Sequence, residues 1–146
     1  MDSSEPRPGT DSASVGRRGG AAASMGAGGL VLGAEPIRVA NLEIRPSEFE
    51  LLASGHRVGL TVREFQTFLV LAQRPDRVVT RPEIYSLVWG GQMAYRDRSV
   101  DVFVRKVRRK LENSAPAWSY IHTHFGVGYR FSPERVTHRR EAPPPP

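Results

Sequence analysis

Cysteine is absent from this 146-residue chain, which excludes disulfides, cysteine-based zinc fingers and thiol catalysis and leaves the redox compartment open. Lysine is nearly absent as well: only Lys106 and Lys110 occur among 21 basic residues, the rest being arginine. With Ala, Gly and Pro abundant, this bias suggests a GC-rich bacterial genome. No apolar run approaches the roughly 18 residues of a membrane span, so no membrane partner is expected and a cytoplasmic location is. Acidic residues number 15, which leaves a formal charge of +6 and a pI near 10.5. Polyanions are therefore the favoured partners. Aromatic residues are missing from residues 1 to 35, which hold eight of the 14 glycines. Such a segment cannot bury enough apolar surface to offset its ordering entropy, so a disordered arm is expected there. Arg17 and Arg18 loosely mimic a twin-arginine export signal, but VGRRGGA lacks the serine and apolar residues that usually accompany the pair.

From Pro36 onward short apolar runs, IRV, LEIRP, FELLA and HRVGL, alternate with turn residues, which predicts a small antiparallel meander ending near Leu60. Thr61 and Glu64 then have capping-box spacing, with Leu60 and Phe65 at the staple positions. Phe65, Phe68, Leu69 and Ala72 follow at helical spacing, so a helix is predicted to about Gln73, stopped before Pro75. The same grammar recurs with Thr80 and Glu83 as a box, Val79 and Ile84 as a staple, and Ile84, Leu87 and Val88 as the apolar face; Gly90-Gly91 ends this second helix.

The third helical stretch is the informative one. In RSVDVFVRKVRRKL, Arg98 to Leu111, the residues Val100, Val104, Val107 and Leu111 form one apolar stripe. The opposite face carries Arg98, Val102, Arg105, Lys106 and Arg109, and Asp97 stands where it can cap the N-terminus. A cationic helix of this kind fits the major groove of DNA: its charges can neutralise phosphates or donate to guanine, and Val102 suits a thymine methyl. An amphipathic helix with a solvated basic face has the same pattern, so context decides. The preceding connection, GGQMAYR, is longer than an ordinary helix-turn-helix turn. Its Met93 and Tyr95 are either exposed apolar contacts or are tucked onto Trp89. Asn113 to Pro116 breaks the helical pattern, after which SYIHT and GYRF flank HFGVG as a hairpin. Alternation puts Ile121 and Thr123 on one face of the strand and His122 and His124 on the other. Pro133 and the final run Pro143 to Pro146 mark a solvated tail over 133–146.

Taken together, LTVREF, VVTRPEIYSLVWG, RDRSVDVFVRKVRRKL and IHTHFGVGYRF resemble the OmpR/PhoB-type winged-helix effector domain of bacterial response regulators, over about Ile37 to Ser132. The resemblance implies an α+β winged helix-turn-helix with an N-terminal four-stranded antiparallel sheet, three helices and a C-terminal β-hairpin wing, filling 36–132. It implies a recognition helix at 98–111, a wing at 124–128 and a loop, carrying Gln92, Met93 and Tyr95, that can touch RNA polymerase. Duplex DNA, as direct repeats bound by head-to-tail copies, is the implied partner, and no cofactor is. Residue by residue, it places Arg98 and Ser99 near phosphates at the start of the helix. Val102, Arg105, Lys106 and Arg108 fall at base or backbone contacts, and Arg109 adds outward charge. Trp89 falls near the DNA backbone or in the core, and Thr123 and Tyr129 flank the wing as phosphate donors. Two features depart from the family. His124 and Phe125 occupy the wing where an apolar residue and a groove-entering arginine are usual, and residues 1 to 35 are too short for a receiver domain with an acidic phosphorylation pocket.

The expected function is thus a sequence-specific, double-stranded DNA-binding transcription regulator that performs no chemistry, working on the nucleoid without a receiver domain. The alternative is a winged helix used for protein interaction, recruiting polymerase or a co-regulator, with weak and unspecific DNA binding. A metal or enzymatic site on His122 and His124 lacks the Asp, Glu or Cys that would complete it, and GVG is not followed by the helix a phosphate cradle needs.

Overall fold

The computed structural model describes residues 35 to 136; the expected N-terminal arm with Arg17 and Arg18, and the tail beyond Val136, lie outside the described residues. Strands β1 (Ile37–Val39), β2 (Leu42–Arg45), β3 (Glu50–Ala53) and β4 (His56–Val58) form one antiparallel sheet in sequential order. The β3–β4 link is a two-residue turn in which Ser54 (φ 51°) and Gly55 (φ 82°) are both left-handed. That conformation matches the twist of a hairpin. Leu42, Ile44, Leu51, Ala53 and Val58 supply the buried face. The other face is braced by Arg45, whose guanidinium donates to Glu43 at 2.9 Å and to Glu50 at 3.2 Å.

Helix α1 (Val62–Ala72) forms with its predicted cap intact: Thr61 Oγ1 accepts from Glu64 N at 3.2 Å, and Glu64 Oε1 accepts from Thr61 N at 2.9 Å. Its burial is wider than a single stripe. Glu64, Thr67, Val70 and Leu71 are buried along with Phe65, Phe68, Leu69 and Ala72, because α1 is central. It meets Phe49, in the turn before β3, through Phe65 and the second sheet through the Phe68–Phe131 ring pair. Lys110 Nζ reaches across to the buried Glu64 at 2.7 Å, so the charge that closes the cap box is also neutralised. Glu64 thereby escapes the cost of an unpaired buried charge.

Helix α2 (Arg81–Trp89) also starts at its predicted threonine, but its box is only half made. Thr80 Oγ1 accepts from Glu83 N at 3.2 Å, while the Glu83 carboxylate turns to Arg77 at 2.5 Å. Residues just ahead of α2 form strand β5 (Val78–Thr80), which the helical pattern had concealed. It joins β6 (Trp118–His124) and β7 (Gly128–Arg135) in the order β5-β7-β6, so the wing is the outer part of a three-stranded sheet. Strand β7 continues three residues past the expected end at Ser132. Pro133 is tolerated within it because the register slips there, opposite Ser119 to Ile121.

Helix α3 spans Ser99–Ser114 and differs at both ends from the expectation of Arg98 to Leu111. Arg98 is the N-cap residue and makes no capping bond; Asp97, one residue further out, accepts from Ser99 N at 2.7 Å through Oδ1. At the other end Asn113 and Ser114 remain helical, and Pro116 forces Ala115 out of the helical region (φ −145°, ψ 72°). The predicted stripe is correct: Val100, Val104, Val107 and Leu111 are all buried.

Candidate nucleic-acid interface

With that stripe facing inward, Arg98, Val102, Arg105, Lys106 and Arg109 all lie exposed on the outer face of α3. Val102 is 44% exposed, so it is not a core residue out of phase. Two of the charges on this face, Arg105 and Arg109, differ from those elsewhere, whereas Arg98 pairs with Asp101 at 3.7 Å. Every other described arginine or lysine side chain has a carboxylate, a carbonyl or an aromatic ring as partner. Lys106 has only the ring of Phe103, at 4.9 Å, and among the described residues Arg105 and Arg109 have none. An array of cations left unneutralised on a rigid helix is poised for an external anion.

Arg108, grouped by sequence with these contacts, points elsewhere. Its guanidinium donates to Ile121 O at 3.1 and 2.8 Å and to Thr123 Oγ1 at 2.6 Å, and it lies 5.4 Å from the Tyr129 ring. It therefore ties α3 to β6, and Thr123, expected beside a phosphate, accepts that tie through its hydroxyl oxygen and keeps its O–H to donate. Tyr129 is likewise engaged: it is 5% exposed and donates to Asp101 Oδ1, which also accepts from Arg81 Nε at 2.7 Å. Arg81 in turn lies 5.0 Å from the Tyr129 ring. Asp101, Arg81 and Gly128 carry this joint, and residue patterning singled out none of them. The signals were an acid in the first turn of an otherwise cationic helix and a glycine inside a strand, the usual mark of close backbone approach.

Trp89 is partly buried between Tyr85, stacked at 5.2 Å, and Phe103, edge-on at 5.4 Å, with the Arg63 guanidinium 5.3 Å from its ring. Its indole thus sets the packing of α2 on α3. The two residues of the connecting loop separate. Met93 packs on the core, whereas Tyr95 is 86% exposed beneath the Arg96 guanidinium, away from Trp89; Gln92 is exposed too. At the wing, His124 Nε2 accepts from Arg130 Nε at 3.1 Å, and His122 Nε2 is 2.7 Å from Ser132 O. Phe125 is 90% exposed. Among the described residues no group of three or more His, Cys, Asp or Glu could hold a metal, and no helix is long and apolar enough to cross a membrane.

The joint has a pH signature. Burial pushes the Asp101 carboxyl up, but hydrogen bonds from Tyr129 and Arg81, with the charges of Arg81 and Arg98, outweigh it and hold the group below the ordinary carboxylate range. A lowered folded value contributes stability that is fully present above the unfolded value near 4 and is lost as pH falls through the folded one. Asp101→Asn is expected to cost about 1 to 2 kcal/mol at neutral pH, as the two bonds from Tyr129 and Arg81 lose their charge in a partly exposed setting. It should also flatten the fall in stability below about pH 4. Urea titrations from neutral to acid pH check both; an unchanged acid limb would show that Asp101 contributes no such charge.

Residues 55–131 match the family described as transcriptional regulatory protein, C terminal. Solved structures give the same fold. The DNA-binding domain of RstA from Klebsiella pneumoniae, in complex with the RstA box, is 28% identical over 67% of this chain and 97% of its own, with a TM-score of 0.61. The DNA-binding domain of CpxR from E. coli is 27% identical over 68% and 97%, at 0.62. The response regulator DrrB of Thermotoga maritima, an OmpR/PhoB homolog, is 29% identical over 68% of this chain but only 45% of its own, at 0.58. By its matched sequence and its winged-helix architecture, this chain belongs to the OmpR/PhoB-type DNA-binding domains of transcriptional regulatory proteins.

Proposed function

We propose that this domain binds double-stranded DNA at a specific sequence to regulate transcription, with the outer face of α3 in the major groove and the 124–128 wing near the adjacent minor groove. The observation that carries this reading is the outer face of α3, where Arg105, Lys106 and Arg109 have no acidic partner among the described residues and Arg105 and Arg109 have no partner at all. Arg98 at the start of the helix extends that face, and Val102 within it offers the apolar contact a thymine methyl needs. Arg108, Thr123 and Tyr129 support the reading as the residues that hold helix and wing in register, and Trp89 as the side chain that packs α2 on α3. The relatives bound to DNA, RstA among them, support it independently.

Head-to-tail binding of two copies on direct repeats belongs to the same proposal, as does contact with RNA polymerase through Gln92 and Tyr95, the exposed residues of the loop that Met93 anchors. Recruitment would then add to DNA binding rather than replace it.

Selection of bound fragments from a random duplex library at defined salt tests the reading. A recurrent motif is expected; recovery of unrelated sequences would favour the interaction-module alternative. Within that motif, Val102→Asn should change the base preference at one position by about 1 to 3 kcal/mol and leave thermal stability nearly unchanged, since the side chain is outward. A fall in stability without a change in preference would show that Val102 packs rather than reads.

A further inference from the structure

Phe125 stands apart from the other five phenylalanines of the chain. Phe65, Phe68 and Phe131 are buried, Phe49 packs on Phe65, and Phe103 meets Trp89. Phe125 is 90% exposed at the tip of the hairpin, beside a 49%-exposed Val127. A lone exposed apolar residue is ordinary. This one, however, sits on a stem that is pinned at its base: β7 pairs with β5 at Gly128, Tyr129 donates to Asp101, and Arg108 holds Thr123. The tip also has a charged setting. Gly126, next to Phe125, borders a cleft of about 430 Å³ with Met93, Arg81, Arg96, Arg98, Asp97 and Asp101, so the hairpin tip lies beside the start of α3.

We propose that Phe125 is an apolar wedge that enters the minor groove beside the α3 contact and kinks the duplex there; this rests on the DNA-binding reading above. The side chain has no hydrogen-bonding group, so it cannot read base edges, and a rigid stem prevents it from folding back. Apolar side chains inserted between base steps partly unstack them and bend the helix toward the major groove. Arg96 and Arg98 are placed to hold the phosphates that such a bend draws in. Pyrimidine–purine steps unstack most easily, so the wedge confers a preference at a step that no polar group touches.

The test uses the full chain and duplexes carrying its selected motif, with a TA or a stiff A-tract step placed under the wing. Bend angle is read by electrophoresis of circularly permuted duplexes and unstacking by 2-aminopurine fluorescence at the step. The native protein should bend the TA duplex and brighten the probe. Phe125→Ala should abolish both signals, weaken binding to the TA duplex roughly tenfold as the base contact is lost, and bind the two duplexes alike. Phe125→Leu should keep the bend, and Phe125→Arg should bind with a steeper salt dependence but without it. Native protein that binds its motif with no bend, or an alanine variant that bends equally, overturns the wedge and leaves the DNA-binding reading standing. Failure of the native protein to bind any duplex overturns both.

Discussion

Replacing Gly128 by alanine is expected to destabilise the domain by about 3 kcal/mol or more, a large share of a small domain's total. A Cβ at this position would lie 2.0 Å from Val79 O and 2.8 Å from both Val79 C and Thr80 Cα. All three are backbone atoms of β5, so no side chain can swing aside and the two strands must part. Their parting would release the base of the wing and, with it, the Tyr129 bond to Asp101 on α3. DNA binding should therefore fall together with stability. Gly126 provides the control. Nothing lies within 4 Å of its Cβ position, but its φ is +77°, so alanine there should cost only about 1 to 2 kcal/mol of backbone strain. Urea unfolding of the two variants measures the difference; equal losses would show that the close approach of β5 and β7 is not what requires glycine at 128.

The opposite outcome, lost binding without lost stability, is expected from Arg105→Ala combined with Lys106→Ala. Neither cation has an acidic partner among the described residues, and both lie across the helix from Val100 and Val104. Removing two phosphate contacts should make the slope of log affinity against log salt shallower by about 2. If one of the pair instead donates to a guanine, specificity at that base should relax by about 1 to 3 kcal/mol. The unfolding midpoint should stay within experimental error of the native protein's. Matched titrations at several salt concentrations decide the case, and an unaltered affinity would remove α3 from the interface.

Local grammar was enough for much of this domain. The N-terminal meander, the Thr61 box on α1, the Gly90 end of α2 and the inward stripe of α3 are each set by side chains within a few residues of one another, and each formed where the sequence puts it. The outward cations of α3 were legible for the same reason, since helical phase fixes both faces at once.

Contacts between distant residues decided the rest. Strand β5 spans only Val78–Thr80, and it is a strand because β7 lies beside it, 50 residues later in the chain; alone it is the approach to a helix. Arg108 is chemically as fit for DNA as Arg105, and only the nearness of Ile121 O and Thr123 turns it into a tie. Tyr129 and Asp101 met in the same way, across 28 positions. Charge and periodicity determined that a basic helix would face outward. Which of its cations stay free, and how the base of the wing is tied to α3, were decided by tertiary packing, because a hydrogen bond between distant residues depends on where the chain returns and leaves no local pattern.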